Sequence, residues 1–305
     1  MKLIFAGTPD IAAVAMRELA REHEIVLAIT REDAPVGRKR VLTPSPVAIA
    51  AAELGIEVLK RNRITEFDLP ELKRSNAELA IVIAYGALIP KFALQLLPWW
   101  NLHFSLLPKW RGAAPLQFSI LNLGDGAGIS LFELEEGLDT GPIVASRPMV
   151  IDASKTYGEH LESFTAAGVK LIGEALKSAP VASAQVGEPT FAPKIDRAFA
   201  KLNFNQTAQV VSAKVMALNP EPVAYGMLDG QPFRILRAVS LGNTNWVELD
   251  QLAPLPGRVT QSGGRVLAEC GDGTRIELLE VQPAGKKAMA AGDWYRGLNK
   301  EVVLD

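Results

Sequence analysis

Apolar and polar positions follow two different rhythms along this chain, and the change falls near residue 187. Before it, short runs rich in β-branched and aliphatic residues at 2–6, 24–29, 57–59, 79–85, 101–106 and 129–134 predict strands. Between them, residues 11–22, 46–54, 69–75 and 116–121 carry apolar side chains at spacings of three and four, the period of an amphipathic helix. One more helix is predicted over 156–178, ending before Ala179-Pro180. Strands alternating with helices point to an α/β fold with a parallel sheet covered on both faces. Ser45-Pro46 marks a helix start, because serine can accept a hydrogen bond from the first turn and proline lacks an N–H that would go unused there.

After residue 187 the texture changes. Glu188-Pro189-Thr190-Phe191-Ala192-Pro193-Lys194 reads as an extended linker, followed by a helix over 207–218. Short strands at 223–228, 233–238, 265–270 and 275–281 then follow, divided by the hairpin signals Asp229-Gly230, Gly263-Gly264 and Asp272-Gly273. The pattern predicts a first domain over 1–187, a linker over 188–205, and a smaller β-barrel domain with one helix over 206–305. A chain of 305 residues agrees with two cores rather than one.

Composition narrows the class. Hydrophobic residues at 48% and charged residues at 22% are ordinary for globular proteins, which excludes disordered and collagen-like chains. The single cysteine, Cys270, can form neither an internal disulfide nor a cysteine zinc site, and reads as structural in a reducing compartment. No apolar run approaches the length of a membrane span, and residues 1–6 read as a strand rather than a secretory signal. The expectation is a cytoplasmic protein without a membrane partner, monomeric by default. With a net charge of -2, any nucleic-acid binding must come from a local patch. Arg31, Arg38, Lys39 and Arg40, around Gly37, form one basic stretch, which also fits a solvated surface run.

Candidate chemistry gathers in two places. Side chains two apart on a strand point the same way, so Asn101, His103 and Ser105 share one face at a strand's carboxyl end, where open α/β sheets bind ligands. In Glu136-Gly137-Leu138-Asp139-Thr140-Gly141-Pro142, glycines flank a carboxylate that a loop could aim at a partner such as His103. Taken alone, the first pattern also fits a polar strand end and the second an ordinary turn aspartate. His23 and His160 read as structural or surface residues, and no metal-ligand constellation is visible. Gly7-Thr8-Pro9-Asp10 is a plausible ligand loop but not the dinucleotide fingerprint, which disfavours hydride transfer.

Together these stretches resemble the folate-dependent formyltransferases: Asn101, His103, Ser105-Leu106-Leu107-Pro108, Gly112 and Asp139 match that family's signature. The likeness is strongest to the branch acting on methionyl-tRNA, through Phe5-Ala6-Gly7-Thr8-Pro9-Asp10, Gly37-Arg38-Lys39-Arg40, Pro44-Ser45-Pro46-Val47, Trp110-Arg111-Gly112-Ala113-Ala114-Pro115, and the segment from Gln282 to Met289. The resemblance implies a Rossmann-like catalytic domain, a C-terminal barrel like the oligonucleotide-binding fold, 10-formyltetrahydrofolate as formyl donor and initiator methionyl-tRNA as acceptor. It implies catalytic roles for Asn101, His103 and Asp139. Folate would lie along Ala84, Tyr85, Gly86, Ser105, Leu106, Leu107, Pro108 and Asp139. Contacts to tRNA would come from Arg38, Lys39, Arg40, Lys286 and Lys287.

In that scheme the Asn101 amide donates to the oxyanion of a tetrahedral intermediate, His103 manages a proton, and Asp139 orients the imidazole. Two positions depart from the family pattern: Phe104, where a small residue is common, and Glu221, where the tRNA enzymes often carry tryptophan. Two other functions share parts of the pattern. A formyltransferase acting on a small amine, such as an amino-sugar nucleotide, would share the Asn–His–Asp core, leaving the Arg38 loop and Lys286-Lys287 to discriminate. A noncatalytic RNA-binding protein could keep the fold but would not need the trio.

Overall fold

The element order follows the apolar rhythm closely. In a computed structural model that describes residues 1–37, 39–241, 255–271, 273–298 and 301–305, the chain begins with β1 (Lys2–Gly7), α1 (Asp10–Leu19) and β2 (Glu24–Thr30). A hairpin of β3 (Ala34–Val36) and β4 (Val41–Thr43) precedes α2 (Pro46–Leu54), β5 (Val58–Lys60), α3 (Leu69–Arg74) and β6 (Leu79–Ile83). Then come α4 (Lys91–Leu94), β7 (Trp99–His103), β8 (Arg111–Gly112), α5 (Pro115–Leu121), β9 (Gly128–Glu133), β10 (Ile143–Pro148) and α6 (Tyr157–Ser178).

The main sheet runs β10-β9-β7-β6-β1-β2-β5. Neighbours from β5 to β7 are parallel, as the alternation predicts. At the other edge β9 runs antiparallel to β7, and β10 antiparallel to β9. Residues 134–142 are too few for the helical crossover a parallel neighbour needs, so they return β10 as an antiparallel strand. Ile4, Ala6, Leu27, Ile29, Ala80, Val82 and Trp99 are buried in one apolar cluster. Strands β1 and β6 are buried almost throughout, which accounts for their near-continuous hydrophobic runs.

Helix α2 starts where its sequence signal lies. The Ser45 side chain accepts from Ala48 N at 3.0 Å, and its Oγ lies 2.6 Å from Thr30 Oγ1 in a buried setting. Ser45→Ala therefore removes a cap and strands the Thr30 hydroxyl. We expect a loss of about 1–2 kcal/mol in urea unfolding, and an unchanged midpoint would show that the cap contributes nothing.

The described residues pack into two compact units. One comprises Met1–Pro115, Gly126–Met149 and Leu161–Ala192, and the other Leu116–Asp125, Val150–His160 and Pro193–Asp305. Along the stretch after α6, β11 (Phe191–Ala192) pairs in parallel with β8, and Leu202 and Phe204 already belong to the second core.

That second unit contains α7 (Ala208–Ala217), β12 (Tyr225–Leu228), β13 (Gln231–Ser240), β14 (Arg258–Ser262), β15 (Arg265–Glu269), β16 (Arg275–Gln282), β17 (Met289–Ala290), α8 (Ala291–Arg296) and β18 (Val302–Val303). Thr207 caps α7 by accepting from Val210 N at 3.4 Å. The strands form an antiparallel sheet in the order β12-β13-β16-β15-β14-β18, with β17 beside β16. Met227 and Asp305 exchange both backbone hydrogen bonds, at 2.7 and 3.1 Å, so the chain end after β18 meets β12 and the barrel nearly closes. Phe233 and Trp294 pack in its core with ring centroids 4.4 Å apart and planes tilted by 44°. Cys270 is buried there, as a structural cysteine should be. Asp272, half of one expected turn, lies outside the described residues, as does Arg38 of the basic loop. No helix among the described residues is long and apolar enough to cross a membrane.

Candidate active site

Strand β7 delivers the central residue. It lies between β6 and β9, and His103 is its last residue, at the carboxyl end of the parallel strands. Asn101 is two positions earlier on the same face and is partly exposed. His103 is only 4% exposed, with the Phe132 ring edge-on at 6.2 Å. Its Nε2 lies 2.9 Å from the Trp110 carbonyl, and its Nδ1 lies 3.9 Å from Asp139 Oδ2. The structure thus brings together a histidine and an aspartate that lie 36 positions apart in the sequence.

A carbonyl oxygen can only accept, so Nε2 carries a hydrogen and Nδ1 is the ring's proton-accepting atom. Burial pushes the imidazole below its ordinary pKa of 6.5, while the Asp139 charge and the Trp110 carbonyl pull it back in smaller measure. Burial thus favours the neutral imidazole. A proton arriving at Nδ1 would face the Asp139 carboxylate.

The Asp139 loop is held by contacts that no spacing rule reveals. Asp139 adopts φ 51°, a region sparsely populated by non-glycine residues. Its Oδ2 accepts from Gly112 N at 2.7 Å. Gly112 has φ 125°, and a Cβ there would fall 2.6 Å from the Ala192 carbonyl oxygen. At Gly141 a Cβ would fall 1.8 Å from the Glu133 carbonyl oxygen. Both approaches require glycine, and for Gly141 this is the physical content of the glycine-flanked pattern. Sequence reasoning missed the Trp110 carbonyl and Ser130 as site components. The Ser130 hydroxyl donates to the Ser105 carbonyl at 2.8 Å and accepts from Leu107 N at 3.0 Å, holding the turn after β7.

The folate-lining expectations divide by atom type. Ala84 and Gly86 are exposed with φ 50° and 79°. Tyr85 between them is 1% exposed, and its hydroxyl donates to the Arg61 carbonyl at 2.8 Å. Burial raises this phenol's pKa to about 12. The Tyr85 ring is thus a core side chain, and the surface that this segment presents is that of Ala84 and Gly86. Ser105 is likewise fully buried, and its hydroxyl donates to the Lys109 carbonyl at 2.6 Å. Pro108 is buried, whereas Leu106 and Leu107 are partly exposed. Residues 84–86 sit beside the loop after β1, where the Thr8 hydroxyl donates to the Tyr85 carbonyl at 2.9 Å.

The basic candidates fall in separate units. Lys39 and Arg40 are exposed at the tip of the β3–β4 hairpin in the first. Lys286 and Lys287 are exposed between β16 and β17 in the second, where Gln282 bridges Arg234 and the Lys286 carbonyl. His160 is 2% exposed, with Nε2 3.0 Å from the Asp152 carbonyl, so burial rather than surface exposure makes it structural. Phe104, the first departure from the family pattern, is 8% exposed and packs inside. Glu221 is exposed, its carbonyl accepting from Gln117 Nε2 at 3.2 Å.

The chain is similar to known proteins in both sequence and fold. The family described as "Formyl transferase" matches residues 1–176, and "Formyl transferase, C-terminal domain" matches residues 194–299. A methionyl-tRNA formyltransferase from Leifsonia xyli is 42% identical, with all of both chains covered. Among solved structures, a methionyl-tRNA formyltransferase from Clostridium thermocellum shares the fold at TM-score 0.58 and 17% identity, over 91% of this chain and 98% of that one. HypX from Aquifex aeolicus in complex with tetrahydrofolic acid aligns at TM-score 0.64 and 17% identity, over 96% of this chain and 46% of that one.

Proposed function

The chain belongs to the formyl transferase family in both its N-terminal and C-terminal parts, and from that membership we propose that it transfers the formyl group of 10-formyltetrahydrofolate to the amino group of initiator methionyl-tRNA. The observation that carries this reading is the buried His103, bonded to the Trp110 carbonyl on one side and facing Asp139 on the other. The full-length relative named for this activity supports the choice of acceptor.

The chemistry is acyl transfer. The neutral amine attacks the formyl carbon, a C–N bond forms, and negative charge collects on the formyl oxygen. The bond from that carbon to the folate nitrogen then breaks, and the nitrogen takes up a proton. Neutral His103 accepts the proton lost by the attacking amine at Nδ1, and the resulting cation is stabilised by Asp139. The Asn101 amide donates to the oxyanion, an interaction already oriented by the strand. Exposed backbone at Ala84 and Gly86, the turn from Leu106 to Pro108 and the Asp139 loop would hold the folate. Lys39, Arg40, Lys286 and Lys287 would neutralise tRNA phosphates. The chain would work as a cytoplasmic monomer.

The test is formylation of charged initiator tRNA with 10-formyltetrahydrofolate, against uncharged and elongator tRNA controls. Formylmethionine on the charged initiator alone is expected; folate binding without transfer would overturn the acceptor and favour a small amine. Replacing Lys39 and Arg40 together with alanine should lower kcat/KM for tRNA and reduce the salt slope of tRNA binding by about one for each phosphate no longer neutralised. An unchanged slope would remove the hairpin tip from the interface.

A further inference from the structure

The stretch between α6 and β11 is mostly exposed, yet one side chain turns inward. Ala184, Val186, Gly187 and Glu188 are exposed, whereas Gln185 is half-buried. Its amide uses its full hydrogen-bonding capacity. The oxygen accepts from Arg111 Nη2 at 2.7 Å and from Nε at 3.2 Å. The nitrogen donates to the carbonyls of Asp139 and Gly141, both at 2.8 Å. On one side of Gln185, Ser183 exchanges backbone hydrogen bonds with Ile143, just after the Asp139 loop. On the other, Thr190 accepts from Trp110 N at 2.9 Å and from Arg111 N at 2.8 Å.

We propose that Gln185 is a positioning residue for formyl transfer, its amide bridging Arg111 to the Asp139–Gly141 backbone and so fixing the Asp139 carboxylate beside His103. The inference rests on the functional reading above. Two loops meet around His103: one supplies the Trp110 carbonyl to Nε2, the other supplies Asp139 to the Nδ1 side. Gln185 is bonded to both, through Arg111 next to Trp110 and through the carbonyl of Asp139 itself. Asp139 also holds a backbone conformation that persists only where its surroundings enforce it. Two donated hydrogen bonds to that loop are such an enforcement. Displacing the carboxylate by about 1 Å is enough to cost a large factor in rate.

Two near-isosteric variants separate positioning from simple anchoring. Gln185→Met removes every polar contact, and Gln185→Glu keeps an acceptor for Arg111 but loses both donors to the Asp139 loop. Both should lower kcat by about ten- to a hundredfold, leave KM for the charged tRNA unchanged, and melt as cooperatively as the parent enzyme. In an Asp139→Asn background, Gln185→Met should add no further loss, because residues acting through one group are not additive. Parental kcat in both variants, or losses that multiply with Asp139→Asn, would overturn the inference. If Gln185→Met does not fold, Gln185→Glu carries the test, with Arg111→Met breaking the same bridge from its other end.

A titration of His103 by NMR, assigned against His23 and His160, reads the bridge without turnover. Weaker support from Asp139 should move the His103 titration of Gln185→Met to lower pH. An unmoved titration would overturn the bridge even if the wild-type enzyme proved not to formylate tRNA, whereas absent formylation with a moved titration would count only against the acceptor.

Discussion

Alanine at position 103 is expected to lower kcat for formyl transfer by about 10²–10⁴ while leaving binding of the formyl donor unchanged. The asymmetry follows from where the histidine acts. His103 is buried and bonded to the Trp110 carbonyl, so it offers little surface to a bound folate. Its remaining nitrogen becomes important only when the attacking amine must lose a proton. The pH dependence has a definite sign. Burial depresses the imidazole below 6.5, so the base form persists and the acid limb of kcat should fall below that value. Asp139→Asn removes the charge that raises the imidazole and should move the limb still lower as kcat drops. The same depressed pKa makes the buried neutral histidine a stabilising feature above pH 6.5 that is lost on acidification, because the unfolded chain then binds the extra proton. Steady-state kinetics with calorimetric donor binding would decide it: undiminished turnover in His103→Ala removes the residue from the scheme.

The second large effect concerns the strand beneath the histidine. Trp99→Ala should cost about 3–5 kcal/mol in stability. Trp99 opens β7 and is 1% exposed, among the largest fully buried side chains. Its indole N–H donates to the Ala93 carbonyl at 2.9 Å, and its backbone carbonyl accepts from Leu134 N at 2.7 Å. Removing the ring leaves a cavity in the apolar cluster beside the sheet and takes one hydrogen bond from the Ala93 carbonyl, which still accepts from Leu96 N at 3.1 Å. Trp99→Phe keeps most of the apolar area and loses mainly the hydrogen bond, so it should fall between parent and alanine variant. Urea unfolding followed by far-UV circular dichroism orders the three. Equal midpoints would mean that β7 is anchored elsewhere. A partial loss with reduced kcat in Trp99→Phe would tie the anchor at one end of the strand to His103 at the other.

Legibility in the sequence tracks the range of the interactions involved. The 3.6-residue and two-residue rhythms are local, so α2, α6 and α7 and most strands from β1 to β9 can be read from neighbours a few residues apart, the short β3, β4 and β8 excepted; β7 runs Trp99–His103 rather than 101–106, so Ser105 lies beyond the strand whose face it is expected to share. Ser45 announces its cap because the bond it accepts is only three residues away. Asn101 and His103 share a face for the same reason. The glycine-flanked Asp139 is visible as a pattern, and the family resemblance pairs it with His103.

Other features depend on packing between distant segments. The β3–β4 hairpin lies hidden in what reads as a basic loop, since its strands are short and exposed. The antiparallel turn of β9 and β10, the meeting of β12 with the chain end, and the inward face of Tyr85 are set by which surfaces remain to be covered once the sheet has formed. The amino-acid sequence by itself determined most of the longer elements and the outline of two cores, because those follow from local conformational preference, and it nominated Asn101, His103 and Asp139 by residue chemistry. Only the tertiary structure decided that the Trp110 carbonyl selects the tautomer of His103, that Ser105 and Tyr85 spend their hydroxyls on backbone carbonyls, and that Gln185 ties Arg111 to Asp139. Hydrogen bonds between groups tens of residues apart exist only after the chain has been brought together, and no local preference encodes their geometry.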